Sequence, residues 1–316
     1  MFQSAQAPSS IVMIRPHYFY PNVETANDNT FQRSILDVEQ EIIWQRAKDE
    51  VSNAAETLKQ HGVNVLLFED TKPLTPDSVF PNNWFSTHAD GKIILYPMSA
   101  LNRRKERRED IIARLHQLFE VTETFDLSSL EKSSAYLEGT GAMVLDHNSK
   151  TAFSAISNRA NPETFLFWCN QFGYTPISFS ACDQTGVAIY HTNVLMCIAT
   201  DFTLVGLNTI TDLNERSTVK SHLEMAGKTI IPLSSYQISQ FAGNAIELQS
   251  KNGRILALSE TAFSSLNKLQ TAQIEKSAKI VPMNVPTIEA AGGSIRCMIA
   301  GIHLKDKQTS NICAQN

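Results

Sequence analysis

Met143-Val144-Leu145-Asp146-His147-Asn148-Ser149-Lys150-Thr151-Ala152-Phe153-Ser154-Ala155-Ile156 reads as two short strands folded back at His147-Asn148-Ser149-Lys150, a polar tetrapeptide between runs of apolar and small residues. An amphipathic stretch, 162–172, follows. Residues 194–205 repeat the pattern, with a turn near Thr200-Asp201 and a helical stretch at 212–226. The spacing therefore predicts a unit of strand, strand, helix and strand, used several times, although no residue-level repeat accompanies it. Working outward, short Val- and Ile-rich runs at 11–15, 63–68, 92–96, 245–248, 254–258 and 295–299 predict further strands, bounded by Gly, Pro, Asn or Asp. Helices are predicted over 35–61, closed by Gly62, over 103–119 and over 260–269. Helices and strands alternate along the whole chain, which is the signature of an α/β fold.

The 316 residues, 42% hydrophobic and 19% charged, are enough for a sizeable core and exclude a disordered or fibrous chain. A formal charge of −5, from 27 Lys+Arg and 32 Asp+Glu, offers no global positive field, so nucleic acid is not an expected partner. The basic run Arg103-Arg104-Lys105-Glu106-Arg107-Arg108 reads as a solvated helix face laced with ion pairs. Residues 1–10 lack the pattern of a secretory signal and no window approaches the ~18 apolar residues of a membrane span, so a cytoplasmic protein is expected, without a membrane partner. Five cysteines, Cys169, Cys182, Cys197, Cys297 and Cys313, form no C-x-x-C pair; reduced thiols are expected, with neither a disulfide framework nor a structural zinc site.

Four segments carry polar residues that folding alone does not call for. In Phe80-Pro81-Asn82-Asn83-Trp84-Phe85 two amides stand between aromatics, as in a turn or a binding site. Leu137-Glu138-Gly139-Thr140-Gly141 sets a carboxylate before two glycines, which permit close backbone approach. In Tyr190-His191-Thr192-Asn193-Val194-Leu195 a histidine opens an apolar run; such a histidine is either structural or at a cleft edge. In Ala291-Gly292-Gly293-Ser294-Ile295-Arg296-Cys297-Met298 a thiol follows a Gly-Gly turn beside an arginine, the surroundings that favour a thiolate. Cys169, Cys182 and Cys197 lie among apolar residues and read as core.

Taken in order, F-x-x-N, L-E-G-x-G, S-x-R, H-x-N and G-G-S-x-R-C resemble the guanidino-group modifying superfamily of arginine deiminases, dimethylarginine dimethylaminohydrolases and amidinotransferases. The resemblance implies a five-bladed α/β propeller, the pentein fold, as a single domain over 11–304 between tails at 1–10 and 305–316. Within the superfamily the chain most resembles the citrulline-utilisation hydrolases. By that likeness Cys297 matches the nucleophile, His191 the general acid/base and Glu138 the carboxylate that holds the substrate nitrogen and orients the histidine. Arg159, in Ser157-Asn158-Arg159, matches the arginine for the substrate α-carboxylate. Arg15 and Asn244 are candidates for the same amino acid end, and Asn82 stands with Asn83 among the substrate-binding candidates. No metal or organic cofactor is called for, and a homo-oligomer is compatible with the sequence.

Where arginine-processing relatives have F-x-x-D and H-x-D, this chain has Asn83 and Asn193. A buried guanidinium calls for carboxylates, whereas a neutral ureido group matches amides, which both donate and accept. Two lost charge-assisted hydrogen bonds, at ~1.5–3 kcal/mol each, shift preference by roughly two to four powers of ten. The expectation is a cysteine-dependent hydrolase of citrulline, giving ornithine, carbon dioxide and ammonia. The alternatives are an arginine deiminase, dimethylarginine hydrolase or amidinotransferase, and a non-catalytic binding propeller.

Overall fold

A strand pair joined by a tight turn must be antiparallel, while a third strand reached through a helix pairs in parallel. The chain uses the turn-joined pair four times and the parallel crossover five times. The computed structural model describes residues 5–33, 35 and 38–307. Its strands are β1 (Ser10–Pro16), β2 (Asn64–Asp70), β3 (Phe85–Thr87), β4 (Lys92–Leu95), β5 (Glu123–Asp126), β6 (Met143–Asp146), β7 (Thr151–Ala155), β8 (Thr175–Phe179), β9 (Met196–Ile198), β10 (Phe202–Val205), β11 (Thr229–Pro232), β12 (Ile246–Ser250), β13 (Gly253–Ser259), β14 (Lys279–Met283) and β15 (Ala300–Ile302). Among the described residues they form three-stranded sheets in the orders β3-β4-β5, β6-β7-β8, β9-β10-β11, β12-β13-β14 and β15-β1-β2. In every sheet the middle strand is antiparallel to the first and parallel to the third. The last strand of the chain thus completes the sheet that the first strand begins, with Ser10 opposite Ile302.

Each parallel crossover carries helix: Gln40–Gln60, Glu109–Leu118, Pro162–Phe172, Leu213–Met225, and the pair Glu260–Ser265 and Lys268–Ile274. The first buries Ile43, Ala47, Val51, Ala54, Ala55 and Leu58, one stripe at helical spacing. It ends as expected at Gly62, whose φ of 85° lets Gly62 N–H reach the Lys59 carbonyl (2.8 Å) and Val63 N–H the Leu58 carbonyl (3.0 Å). Middle strands such as β7 and β10 are buried along their whole length. The five first strands, β3, β6, β9, β12 and β15, all line one common cavity.

Several expectations change. Residues 295–299 are a turn, not a strand: Cys297 N–H and Met298 N–H both bond back to the Ser294 carbonyl (3.0 and 3.2 Å), and pairing begins only at Ala300. The helix expected over 103–119 is a 3-10 turn, Arg103–Glu106, then a separate helix from Glu109. Residues 6–8 are buried rather than a tail, with Gln6 Nε2 donating to the carbonyls of Leu145 (3.0 Å) and Ile198 (2.9 Å). Cys313 and most of the expected C-terminal tail lie outside the described residues. Among the described residues no helix is long and apolar enough to cross a membrane.

Candidate active site

The turn just before each first strand carries a candidate site residue, and four of the five turns belong to the singled-out segments. Asn83 ends the 3-10 turn Pro81–Asn83 before β3, with Pro81 preset for the first position of such a turn. Glu138 starts the turn Gly139–Ala142 before β6, and His191 and Asn193 sit at the turn Thr192–Val194 before β9. Asn244 precedes β12 and Cys297 precedes β15. Five separate stretches of sequence are thereby collected at one end of the first strands. The approach is close enough to require glycine: a Cβ on Gly141 would lie 2.3 Å from Asn83 Nδ2 and 2.8 Å from His191 Nδ1.

Cys297 is buried, and its Sγ receives two carboxamide N–H groups, from Asn193 Nδ2 (3.3 Å) and Asn244 Nδ2 (3.1 Å). The Asn244 Oδ1 in turn accepts the backbone N–H groups of Ser294 (3.2 Å) and Cys297 (3.3 Å), so this side chain ties the sulfur to its own turn. His191 Nε2 lies 2.9 Å from Glu138 Oε2, and both side chains are buried. Burial is the largest influence on His191 and holds it down to about 4, against the pull of Glu138, so the ring is neutral and donates to the carboxylate. Burial alone would push Glu138 up, but the His191 hydrogen bond and the charges of Arg159 and Arg103 outweigh it and hold the carboxyl near 2. Its second oxygen, Oε1, accepts Ser99 N–H at 3.0 Å. Both oxygens of Glu138 are therefore engaged.

The basic run is not a solvated face at its start. Arg103 is 2% exposed and its guanidinium donates to Glu106 Oε2 (2.9 Å) and Asn83 Oδ1 (2.7 Å), with Asp77 and Glu138 each 3.6 Å away. A guanidinium enters an interior only with carboxylates around it, and Asp77, Glu106 and Glu138 supply them. Sequence spacing held the i,i+3 pair Arg103 and Glu106, but nothing in it singled out which of four arginines turns inward. Arg159 is buried too: it pairs with Asp28, donates to the Thr25 carbonyl (3.3 Å), stacks on Tyr190 (4.5 Å from the ring centroid) and lies 3.9 Å from Glu138.

Cys297, His191, Asn83, Arg159 and Arg103 line one pocket, and Glu138, Asn193 and Asn244 bond directly to members of that set. Asn82 is one contact removed: its Oδ1 accepts from Asn83 Nδ2 (3.0 Å), while its own buried Nδ2 has no partner among the described residues. Asn244 is at the sulfur, not at the amino acid end expected for it. Arg15 is not brought to the site; it pairs with Glu69 and Ser52 at the surface. Sequence reading also missed the segment 22–33, which crosses the pocket: Asn22 Nδ2 donates to Asp77 (2.8 Å), Asn29 Nδ2 to the Ala291 carbonyl (3.3 Å), and Asp28 holds Arg159. Free space inside is about 10 Å³, a single water's requirement.

Sheets of this one topology, with their polar turns gathered at one end, define a member of the guanidino-group modifying superfamily, whose enzymes act on carbon–nitrogen bonds. The chain belongs to the family described as N,N dimethylarginine dimethylhydrolase, eukaryotic, whose profile matches residues 15–304. No curated protein sequence matches it significantly. Among solved structures, the substrate-bound N-terminal domain of ArgZ, an arginine dihydrolase from the ornithine–ammonia cycle in cyanobacteria, matches with a TM-score of 0.71 and 16% identity, over 93% of this chain and 97% of that one. AgrE in complex with L-arginine matches with a TM-score of 0.73 and 16% identity over 95% of this chain and 41% of that one. A dimethylarginine dimethylaminohydrolase adduct with S-methyl-L-thiocitrulline gives 0.60 and 12% identity, over 93% of this chain and 100% of that one. The chain spans about 40% of full-length ArgZ. At these identities the likeness is one of fold.

Proposed function

We propose that the protein hydrolyses citrulline, or a close ureido amino acid, through a covalent intermediate on Cys297, on a closed five-bladed propeller. The observation that carries this reading is the composition of the pocket. Its one carboxylate beside the histidine, Glu138, already faces two guanidinium groups and has both oxygens engaged, and the positions around the sulfur are filled by carboxamides. The carboxylates nearest the histidine are already committed to Arg103, so a cationic headgroup must compete for them, whereas a neutral ureido group needs no counter-charge. Asn83 and Asn193 offer that group donors and acceptors at no cost in charge.

In this mechanism neutral His191, with Nε2 committed to Glu138, accepts the thiol proton on Nδ1. The Cys297 sulfur attacks the ureido carbon, and the negative charge that develops on oxygen is met by carboxamide N–H groups. His191 returns the proton to the departing nitrogen as that C–N bond breaks, then takes a proton from water as it attacks the thiocarbamate. Whichever C–N bond breaks first, water addition and loss of carbon dioxide give ornithine, carbon dioxide and ammonia. Arg159 takes the substrate α-carboxylate in place of Asp28, which requires segment 22–33 to move aside, since the pocket as it stands has no room for a substrate.

A second reading is favoured by one observation: arginine dihydrolases are among the structures this fold matches. In it, arginine enters, a ureido intermediate forms and the same residues complete the reaction. Purified protein incubated separately with citrulline and arginine, with ammonia, citrulline and ornithine quantified, separates the two. Ornithine and one ammonia per citrulline, with arginine inert, is the expected result. Citrulline accumulating from arginine, or citrulline itself inert, refutes the ureido reading. Cys297→Ala, folded by circular dichroism, should show no turnover; residual activity would mean another nucleophile.

A further inference from the structure

Arg296 differs from the other interior arginines. Arg103 and Arg159 are each surrounded by carboxylates, whereas Arg296, half-buried, has no carboxylate within salt-bridge distance among the described residues. Its one hydrogen bond there is from Nη1 to the Ile299 carbonyl (2.9 Å). Arg296 and Cys297 are consecutive in one turn yet serve different cavities: Cys297 faces the pocket with His191, and Arg296 faces the cavity walled by the five first strands. Since that wall is made of strand residues that follow the site turns, the second cavity lies farther along the strands.

Free space in this cavity is about 50 Å³, several times what one water needs and about five times that of the site pocket. Two histidines stand in its wall, His147 and His303, with ring centroids 4.0 Å apart. His147 Nδ1 is taken by the Tyr174 hydroxyl (3.0 Å) and His303 Nδ1 by the Ala5 carbonyl (3.1 Å). Burial first, and the Arg296 charge among its neighbours, hold both imidazoles neutral at physiological pH, His303 down to about 4. One carboxylate lines the cavity, Glu247, and it is drawn away: Oε2 accepts from the Thr200 hydroxyl (2.6 Å) and N–H (2.8 Å), and Oε1 lies 3.7 Å from Arg254. The net provision is one cation, partly removed from water, with no carboxylate within salt-bridge distance and room in front of it. A group so placed is costly unless an anion joins it.

We propose that this cavity is a second ligand site, which takes a small oxyanion of about four or five heavy atoms on the Arg296 guanidinium, beside the His147 and His303 rings. Carboxylate, bicarbonate and phosphate share that chemistry, and the test separates them. The proposal stands apart from the citrulline reading, because its readouts do not involve turnover.

Thermal unfolding of the full chain is followed in increasing acetate, bicarbonate or phosphate, each against sodium chloride at equal ionic strength. A ligand that binds only the folded state raises Tm with the logarithm of its concentration above Kd, by about 5 °C at a hundredfold excess. At least one of the three should do so, and the one that does names the source. Arg296→Gln should abolish the rise. Because that variant could fail to fold, wild-type protein is also treated with phenylglyoxal, and adducts on the Arg296 peptide are quantified by mass spectrometry with and without the same anions. Protection of several fold supports the site. No rise beyond the sodium chloride control with any anion, a rise that persists in Arg296→Gln, or unprotected modification of Arg296 overturns it.

Discussion

Replacing Asn193 by Asp puts to the test the idea that carboxamides around the sulfur suit an uncharged substrate. The Asn193 amide nitrogen stands 3.3 Å from Cys297 Sγ and donates to it. Asn193→Ala removes one hydrogen bond to the attacking sulfur, ~1.5–3 kcal/mol where that sulfur carries negative charge, and so slows its alkylation by about ten- to a hundredfold. Asn193→Asp removes the same bond and adds a like charge at that 3.3 Å distance, worth a further ~5 kcal/mol at an effective dielectric near 20. Relaxation, or a proton shared between acid and sulfur, reduces that figure without changing its sign. The assay is the rate of iodoacetamide alkylation of Cys297 at pH 7, mapped by mass spectrometry, with thermal melts to verify the fold. The order expected is wild type, then Ala, then Asp, the last at least tenfold below the second, with citrulline turnover falling in the same order. An Asp variant as reactive as wild type, or more reactive than Ala, would show that the amides do not govern the thiolate. The physical point reaches substrate choice: an acid beside the sulfur discourages the thiolate until a cationic substrate arrives, whereas an amide needs no such help.

Arg103→Met leaves Glu106 and Asp77 buried without their cation and should cost ~3 kcal/mol, a Tm fall of about 6 °C by calorimetry; the double change with Glu106→Gln should recover part of it, and a single variant as stable as wild type would refute the pairing. Gly141→Ala drives a methyl against Asn83 and His191, so kcat should fall about a hundredfold while melting drops by only ~1–3 kcal/mol; unchanged kcat would mean these groups tolerate displacement. His88 is held down to about 3, and His191 and His303 to about 4, burial being the largest cause in each. Folded values below the unfolded ~6.5 mean that the unfolded state binds more protons, so stability is intact above pH 6.5 and falls as pH drops toward 4, by at most about 4 kcal/mol per unit for three such groups. Urea melts at pH 7, 6 and 5 should show the loss and His88→Gln should lessen it; a flat profile would be inconsistent with neutral buried rings.

Sequence patterning reached the architecture unevenly, and the pattern of misses is physical. Both hairpins expected at 143–156 and 194–205 are present, with Asp146 opposite Thr151 and Ile198 opposite Thr203, because their strands are buried and carry strong β-formers around polar turns. The missed strands are chiefly the third in four of the five sheets: β5, β8, β11 and β14. They lie at sheet edges, are four or five residues long, and each has exposed positions, so Glu123-Thr124-Phe125-Asp126 carries no apolar run to detect. Their pairing is imposed by the crossover helix that returns the chain, which is tertiary information.

At the site, the residues that motif order supplied converge in space, whereas Arg15, a candidate from outside the motifs, forms a surface pair with Glu69. What spacing does not reveal is the second layer of charge. Arg103 was hidden inside a run that looks solvated, and Asp77, Asp28 and Asn22 stand in turns with no motif at all. These residues matter because a site with a fixed internal guanidinium is not neutral ground for an incoming one. The identity of the headgroup is decided less by which amides replace which acids than by how much of Glu138 remains unclaimed. With Ser99 N–H on one oxygen and His191 on the other, and Arg103 at 3.6 Å and Arg159 at 3.9 Å, little of its charge is left for a substrate cation. A ureido carbonyl, by contrast, asks for donors, and in this pocket Asn193 Nδ2 already points at the sulfur that the proposed mechanism makes the attacking atom.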